Sequence, residues 1–373
     1  MAAGTAWAVR VRASSPGHIR LRYIGNKTRL LGFIRRVLRT RGIGPGRAVD
    51  PFSGTASVAR SLKRWQFHTA ASDIMEYGYV FARAYVEVTA PPCFAGVAAE
   101  VGGGDLRHAV VWLNRLRGEP GFIHEHYSPA GGAGSVHGRM YFTPGNAARI
   151  DAVRGAIERW HRSRAIDDDA YHTLLAALIE AADRVANTTG VYAAFVKSWQ
   201  PNALHPLELR PERLVRGNGC TAARADAVDA IREAGEFDLL YLDPPYNARQ
   251  YAGYYHIPEL LARGWYDGDV VLRGKTGLIE DGDRRSDWSS SRRCEEAFEA
   301  LVAGARCRHI LMSYNAEGII REATIERVLR EYGLRGTYRR YRQQYRRYRS
   351  DSDSAVRRYR ANDVYEYLYC VSR

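Results

Sequence analysis

The stretch Phe237-Asp-Leu-Leu-Tyr-Leu-Asp-Pro-Pro-Tyr246 decides the fold. Its first six residues are mostly apolar, and a short apolar run that ends in polar residues is typical of a buried strand in a parallel sheet. Two successive prolines follow, and they end the strand because proline has no amide hydrogen to donate to a sheet. We therefore expect Asp243 and Tyr246 in a loop at the carboxyl end of this strand, where open α/β sheets bind their ligands.

A similar unit lies upstream. Residues 47–60 combine a short apolar strand, the small-residue turn Asp50-Pro-Phe-Ser-Gly-Thr55 and a helix, and residues 69–73 predict a second strand that ends at Asp73. Gly54 would let the backbone approach a ligand closely, and the N-terminus of the following helix favours polar or negatively charged groups. This order is that of the nucleotide-binding half of a doubly wound sheet, although a plain strand-to-helix connection would look the same in isolation.

The middle of the chain has a different character. Residues 90–211 contain several Pro and Gly breaks, followed by two long helical patterns at 144–163 and 167–186. We interpret this region as an inserted, mostly helical subdomain. The catalytic α/β domain would then comprise residues 20–89 and 212–373.

The two ends of the chain complete the expected organisation. Residues 1–19 lack a continuous apolar stretch and are interpreted as a loose leader without a secretory signal. Residues 309–313 and 364–371 predict two further strands of the sheet.

The charge balance favours a polyanionic partner. The 373 residues carry a formal net charge of +14, and clustered basic residues gain free energy when they neutralise phosphates and release counterions. A GC-rich genome would give a similar bias, because arginine dominates and only four of the 55 basic residues are lysine: Lys27, Lys63, Lys197 and Lys275. Charge alone therefore leaves nucleic-acid binding open.

Two classes of protein are disfavoured by composition. No apolar run approaches the roughly 20 residues that a membrane-spanning helix requires. The five cysteines are scattered without a CxxC or Cys/His cluster, which indicates reduced thiols in a cytoplasmic protein and predicts no metal site.

The Asp243–Tyr246 motif suggests a specific chemistry. Two prolines leave no amide donors, so the Asp243 carboxylate and the Pro244 carbonyl can both present acceptors to one cleft, with Pro245 stiffening the loop. An exocyclic amine with two hydrogens fits this pair, and Tyr246 could stack on the base that carries the amine. A base in a duplex would have to be flipped out to reach it. The alternative is a rigid loop with an ordinary packed tyrosine.

At this point the sequence resembles the bacterial DNA adenine N6-methyltransferases, a family that includes Dam-like enzymes and many type II modification methylases. The motifs follow in that family's order: Tyr23-Ile-Gly-Asn-Lys27, Asp50-Pro-Phe-Ser-Gly-Thr55, an insert of about 120 residues, and Asp243-Pro-Pro-Tyr246. Further strings resemble the type II branch: 141–143, 146–147, 185–192, 246–251 and 255–256. The resemblance covers nearly everything from residue 20 to residue 371.

The resemblance implies a site-specific, adenine-specific DNA methyltransferase with a Rossmann-like fold that uses S-adenosyl-L-methionine. It also implies double-stranded DNA as substrate, a cytoplasmic, nucleoid-associated location, and a cognate restriction endonuclease or defence proteins as partners. The catalytic residues would be Asp243, Pro244, Pro245 and Tyr246. The cofactor-binding residues would be Tyr23, Gly25, Lys27, Asp50, Phe52, Gly54, Thr55, Asp73 and Asp243.

The sequence departs from the family pattern at two places. Ala56 stands where the cofactor turn of the family usually has a second glycine, which could tighten the pocket. In the family, an acidic residue in the loop before the Asp243 motif often faces the adenine of the cofactor. We assign this loop to Asn218-Gly-Cys220, which has no acidic residue, so no residue is predicted for that contact.

Two regions are candidates for DNA contact. Residues 338–360 interleave tyrosines with nine arginines, a combination that can bind phosphates and stack on bases, although a solvated basic hairpin would have the same composition. The insert is expected to read the base sequence. The predicted DNA-binding residues are Arg249 and Tyr251, next to the catalytic loop, and Arg339, Arg340, Arg342, Arg346 and Arg347.

Three alternative functions stay open at this level. Cytosine N4 methylation uses the same amine chemistry, but its enzymes more often have Ser than Asp before Pro-Pro-Tyr. RNA adenine methylation would suit the same basic composition. A non-catalytic DNA-binding subunit is the third alternative, which the intact motif and Lys27 disfavour.

Overall fold

The computed structural model describes residues 27–131, 137–217, 219–248, 250–279, 286–346 and 363–373. Tyr23, Gly25, Arg249 and Arg347 lie outside the described residues, and so does the side chain of Arg346.

The chain is a mixed α/β protein. The strands are β1 Arg47–Asp50, β2 His68–Asp73, β3 Thr221–Arg224, β4 Glu236–Leu242, β5 Leu272–Arg273, β6 Leu278–Ile279, β7 Arg306–Asn315, β8 Arg339–Arg346 and β9 Asp363–Ser372. The helices are α1 Leu31–Thr40, α2 Ser57–Arg64, α3 Glu76–Ala82, α4 Ala98–Val101, α5 Leu106–Arg115, α6 Phe122–Tyr127, α7 Pro144–Arg162, α8 Asp168–Val185, α9 Ala227–Glu233, α10 Tyr251–Tyr254, α11 His256–Arg263, α12 Cys294–Gly304 and α13 Glu322–Glu331.

Within the described residues, seven strands form one sheet in the order β3-β2-β1-β4-β7-β9-β8. Strands β3, β2, β1, β4 and β7 are parallel, whereas β9 is antiparallel to both of its neighbours. The chain moves outward from β1 to β3 on one side and from β4 to β7 on the other, which is the strand order of a doubly wound sheet, and β9 then lies between β7 and the edge strand β8. The predicted Rossmann-like fold class is confirmed.

Strand β4 shows why these residues form the centre of the sheet. Leu239 and Tyr241 pack into the core beneath α1 and α2, whereas Leu240 and Leu242 pack into the core beneath α12 and α13. A strand that is covered on both faces needs apolar residues at successive positions, as residues 239–242 have. The strand consequently fixes the position of Asp243 at the carboxyl end of β4.

The two long helices of the insert occur within a residue of their predicted positions. Pro144 follows the capping residue Thr143 at the start of α7, and Asp167 caps α8 by accepting a hydrogen bond from the Ala170 amide. These residue types satisfy the free amides of a first helical turn. Helix α8 is almost wholly buried and packs against α3 and α11, so residues 90–211 and the catalytic segments share one continuous core. The predicted domain division stays a prediction.

One sequence interpretation was wrong. Asn218-Gly-Cys220 was assigned to the exit of the strand before the Asp243 motif, but β3 begins only at Thr221, so Gly219 and Cys220 lead into it, and Asn218 lies outside the described residues. The assignment failed because the strand is short and polar, with an exposed start that lacks the expected apolar pattern. The exit of β3 is formed instead by Ala225 and Asp226, and Asp226 caps α9.

Membrane insertion can be assessed for the described helices, and none of them is both long enough and apolar enough to span a bilayer.

Arg154 fastens the insert to the catalytic part of the chain. It is fully buried on α7, donates through Nε to the Leu261 carbonyl of α11 (2.9 Å) and pairs with Glu158 (2.7 Å). We expect Arg154→Met to lower the free energy of unfolding by about 3 kcal/mol, because a buried carbonyl and carboxylate lose their shared donor. Urea unfolding measures the loss.

The matched control is Arg159→Ala on the same helix. Arg159 pairs with Glu100 but is 58% exposed, so its loss should lie below about 1 kcal/mol. Equal losses for the two variants would contradict the anchoring role of Arg154.

Candidate active site

Three carboxyl groups meet at the carboxyl edge of the sheet. Asp50 ends β1, Asp73 ends β2 and Asp243 follows β4. The strands β1 and β4 are neighbours from which the chain turns to opposite sides, and a crevice forms at such a point in a doubly wound sheet. The structure therefore brings together side chains that are up to 193 positions apart in the sequence.

The turn after β1 is fastened to the end of β2. The amide of Gly54 donates to Asp73 Oδ2 (2.8 Å), and the amide of Met75 donates to Asp73 Oδ1 (2.9 Å). Ala56 has a left-handed backbone with φ of 56°, a conformation that glycine adopts without strain. The glycine that the family favours at this position thus has a backbone reason.

The same turn contains a hydroxyl group that has no partner in the described part of the chain. Ser53 is buried, and its Oγ makes no hydrogen bond with any of the described residues. Leaving a buried hydroxyl unpaired costs about 1–3 kcal/mol. The turn is thus prepared to bind a polar group from outside the chain.

Burial shapes the electrostatics of this edge. It raises the pKa of Asp73 to about 6, and burial together with repulsion from Asp243 raises the pKa of Asp50 well above its usual range. Neither carboxyl group forms an ion pair with any described residue. The pKa of Asp243 is raised to about 7, because burial and the charge of Glu366 outweigh the ammonium of Lys27.

Lys27 lies at the centre of a buried polar cluster. Its Nζ lies 3.1 Å from Asp243 Oδ1 and 2.9 Å from Glu366 Oε1, and it donates to the hydroxyl of Tyr246. That hydroxyl donates to Asp243 Oδ1 at 2.6 Å, and Ser313 donates to Glu366 at 2.9 Å. Burial lowers the pKa of Lys27, but Asp243 and Glu366 outweigh this effect and raise it, so the ammonium keeps its proton.

The acceptor oxygens of the loop 243–246 fall into two groups, those that accept a hydrogen bond from the described residues and those that do not. The carbonyl of Pro245 accepts from the Tyr314 hydroxyl (3.2 Å), and the carbonyl of Tyr246 accepts from the Ile319 amide (3.2 Å). The Pro244 carbonyl and Asp243 Oδ2 accept no hydrogen bond from the part of the chain that the structure describes. The loop is therefore held in place by some of its oxygens while two others stay available.

The comparisons with known proteins agree with this arrangement. Residues 23–276 match the model of the D12 class N6 adenine-specific DNA methyltransferases. The chain belongs to this family. The predicted family and the predicted methyltransferase activity on DNA are thereby confirmed.

Complete modification enzymes are among the relatives. The chain is 35% identical to the type II methyltransferase M.NlaIII of Neisseria lactamica over 95% of its own length and 99% of the relative. It is 32% identical to M.FokI of Planomicrobium okeanokoites and 30% identical to modification methylase StsI of Streptococcus sanguinis. The chain spans about half the length of these last two, 53% and 52%. No solved structure matches the chain.

The cluster around Lys27 includes residues that sequence reasoning missed. Glu366 and Ser313 complete the Lys27 cluster, and Tyr314 holds the catalytic loop. A signal for Glu366 existed, since it is the one charged side chain in the otherwise apolar and aromatic run 364–371. Asp226, at the exit of β3, was also not singled out from the sequence; it follows Ala225, whose amide donates to the Asp73 carbonyl (3.1 Å).

The predicted DNA-binding residues that the structure describes lie in two elements, α10 and β8. Tyr251 lies near Asp243 and Asp73, and its pKa is raised by burial and by the charges of these two carboxylates. Arg339 donates to nearby backbone carbonyls, Arg340 pairs with Glu322, and Arg342 lies over the ring of Tyr365 (5.5 Å). Their DNA contacts stay predictions.

The Lys27 cluster predicts opposite pH shifts for two variants. Lys27→Met should move the acid limb of kcat/KM for methyl transfer to higher pH, because loss of the ammonium raises the pKa of Asp243. Glu366→Gln should move it to lower pH, because a repulsive charge is lost. The pH profile of transfer to DNA measures both.

Glu326→Gln on the exposed side of α13 is the control and should leave the profile unchanged. Shifts of Lys27→Met and Glu366→Gln in the same direction would show that the two charges do not act on the titration of this cluster.

Proposed function

We propose that this methyltransferase transfers a methyl group from S-adenosyl-L-methionine to the 6-amino group of adenine at a specific DNA sequence, as the modification enzyme of a restriction-modification or defence system. The pair of available acceptors, Asp243 Oδ2 and the Pro244 carbonyl, is the observation that carries the proposal. An amino group has two hydrogens, and each acceptor would take one.

The residues at the sheet edge fit this methyl donor. This edge contains one ammonium group, that of Lys27, and four carboxyl groups, those of Asp50, Asp73, Asp243 and Glu366. A ligand with a sulfonium and an ammonium group would supply the missing positive charge. The unpaired Ser53 hydroxyl suits a polar end group such as a carboxylate.

Among the proposed cofactor contacts, Tyr23 and Gly25 lie outside the described residues. The residues that would hold the donor are Tyr23, Gly25, Lys27, Asp50, Phe52, Gly54, Thr55 and Asp73, with Asp243 at the reacting end and Asp226 as a further acceptor for the adenine of the cofactor. When bound, S-adenosylmethionine supplies a methyl group that is already activated by its positively charged sulfur.

The protein has to make a poor nucleophile reactive. The amino nitrogen of adenine shares its lone pair with the ring and is nearly planar. Hydrogen bonds from its two hydrogens to Asp243 Oδ2 and the Pro244 carbonyl favour a pyramidal nitrogen whose lone pair points out of the ring plane. The prolines fix both acceptors before the base arrives, so little reorganisation is needed during the reaction. Asp243 is also in reach to take the proton that the methylated nitrogen releases.

Tyr246 would provide the stacking surface for the flipped base. Its ring packs edge-on against Tyr314 with centroids 5.1 Å apart, and its hydroxyl is held by Asp243 and Lys27. A ring that is fixed at its edge and at its hydroxyl loses little further freedom when a base stacks on its face.

The first test of the function identifies the methylated base. With labelled S-adenosylmethionine and duplex DNA, we expect the label in 6-methyladenine after digestion to nucleosides. Asp243→Ala should lower the rate at least about a hundredfold, because a preorganised acceptor is lost. Label in 4-methylcytosine, transfer only to RNA, or no transfer at all would support one of the three alternatives instead.

A second test separates stacking from hydrogen bonding at Tyr246. Tyr246→Phe keeps the ring and should retain most of the affinity for a duplex with 2-aminopurine at the target position, together with its fluorescence increase on flipping. Tyr246→Ala should lose about 1–3 kcal/mol of that affinity with the stacking face. Equal behaviour of the two variants would argue against a stacking role.

A further inference from the structure

Two exposed segments share an unusual composition. Lys27 is in the active site and Lys63 is buried, where it donates to the Val88 carbonyl. The other two lysines of the chain, Lys197 and Lys275, are both exposed. They lie in residues 187–207 and 271–279, which contain no acidic residue and are bounded by Glu208 and by Asp269 and Glu280. We call residues 188–200 the insert loop and residues 273–278, between β5 and β6, the hairpin turn.

Buried polar side chains hold the insert loop. Asn187 is fully buried, donates to the Val196 carbonyl (2.8 Å) and accepts from the Gln200 amide (3.0 Å). The buried Tyr141 donates its hydroxyl hydrogen to the Tyr192 carbonyl (2.7 Å). These bonds fix the backbone of a loop whose own side chains at Thr189, Ala193, Ala194, Lys197 and Ser198 are exposed.

The hairpin turn is held in the same way. Arg139 is buried and donates through Nε to the Lys275 carbonyl (3.0 Å) and through Nη2 to the Gly274 carbonyl (3.1 Å). Among the described residues it has no carboxylate partner. The buried Tyr127 hydroxyl donates to the Gly277 carbonyl (2.6 Å), and a side chain at Gly277 would lie within 3.0 Å of Arg139.

Both segments are attached to the helices that follow the catalytic loop. The amide of Tyr192 donates to the Tyr254 carbonyl at the end of α10 (2.8 Å). His256, at the start of α11, packs against the rings of Tyr127 and Tyr141, and the Tyr127 hydroxyl donates to the Gly277 carbonyl of the hairpin turn. Helix α10 begins five residues after Tyr246, so the insert loop and the hairpin turn flank the segment that leads out of the active site.

Exposed loops can satisfy their backbone with water and need no such internal fastening. Ordering a residue costs about 1–2 kcal/mol of conformational entropy. In the free protein, hydrogen bonds from buried side chains to the two loops offset this cost, and one of these side chains is Arg139, which has no carboxylate partner among the described residues. A surface that is ordered in advance binds its partner with a smaller loss of entropy. Two acid-free segments with exposed lysines are complementary to a polyanion.

We infer that the insert loop and the hairpin turn form a preorganised contact surface for duplex DNA beside the flipped base, with Lys197 and Lys275 binding phosphates on either side of it. The inference rests on the proposed function and extends it to named residues of the insert and the hairpin. Neither lysine takes part in methyl transfer itself.

The test compares Lys197→Ala, Lys275→Ala and the double variant in binding to a fluorescent duplex that the protein methylates, over a series of salt concentrations. Each single variant should bind about five- to tenfold more weakly, and the slope of log K against log salt should fall by about 0.9 for each lost phosphate contact. Binding of S-adenosylmethionine and thermal unfolding should be unchanged, since both side chains are exposed.

Arg306→Ala is the matched control. Arg306 is exposed at the start of β7, on the edge of the sheet opposite to the active site, and its removal should leave both the affinity and the salt slope unchanged.

The outcomes separate the surface from the function. A double variant that binds the duplex with the affinity and salt slope of the unchanged protein overturns the surface but not the methyltransferase assignment. Weaker binding of double-stranded RNA alone, with DNA binding intact, overturns it too. If the unchanged protein transfers label to no DNA base, the proposed function fails and the surface fails with it.

Discussion

The structure depends on how buried negative charge is balanced at one edge of the sheet. Asp243 and Glu366 both lie against the ammonium of Lys27, and the hydroxyl of Tyr246 completes the cluster. In a site of low polarity such contacts are stronger than in water, and the loss of one partner leaves a charge that water cannot reach. This cluster joins the start of the described chain, the catalytic loop and the C-terminal strand, so the site exists only when all three are in place.

In the loop 243–246, some oxygen atoms hold the backbone in place and others are left to bind a ligand. Two prolines and two hydrogen-bonded carbonyls fix the backbone of the loop, while the Pro244 carbonyl and one carboxylate oxygen of Asp243 have no partner among the residues that the structure describes. Unpaired acceptors in a partly buried loop cost stability. Such a cost is expected where a ligand supplies the missing donors, as the amino group of adenine would do.

The insert extends the same principle away from the reaction centre. Its two long helices build a core that is continuous with the catalytic part, and its buried polar groups fasten exposed loops next to α10 and α11. Rigid helices and buried anchors thus give surface loops a fixed position relative to the catalytic loop. A base-modifying enzyme needs this relation, because recognition of the duplex and placement of the flipped base have to occur together.

The sequence by itself determined the strand, the proline-stiffened loop, the cofactor turn and the two long helices. Each of these has a local physical cause: apolar runs, prolines, glycine and capping residues act on their immediate neighbours. The sequence also showed Glu366 as a charged residue in an apolar strand, but it did not show that Glu366 pairs with Lys27.

Only the tertiary structure decided which distant residues meet. The pairing of Lys27 with Glu366, the place of Asp226 at the exit of β3 and the attachment of the two lysine-bearing segments to α10 and α11 depend on strand order and packing. The misplaced Asn218-Gly-Cys220 loop has the same origin, because β3 is too short and polar to be recognised without the neighbour β2 that pairs with it. Contacts between residues hundreds of positions apart are set by the folded core, which no local pattern encodes.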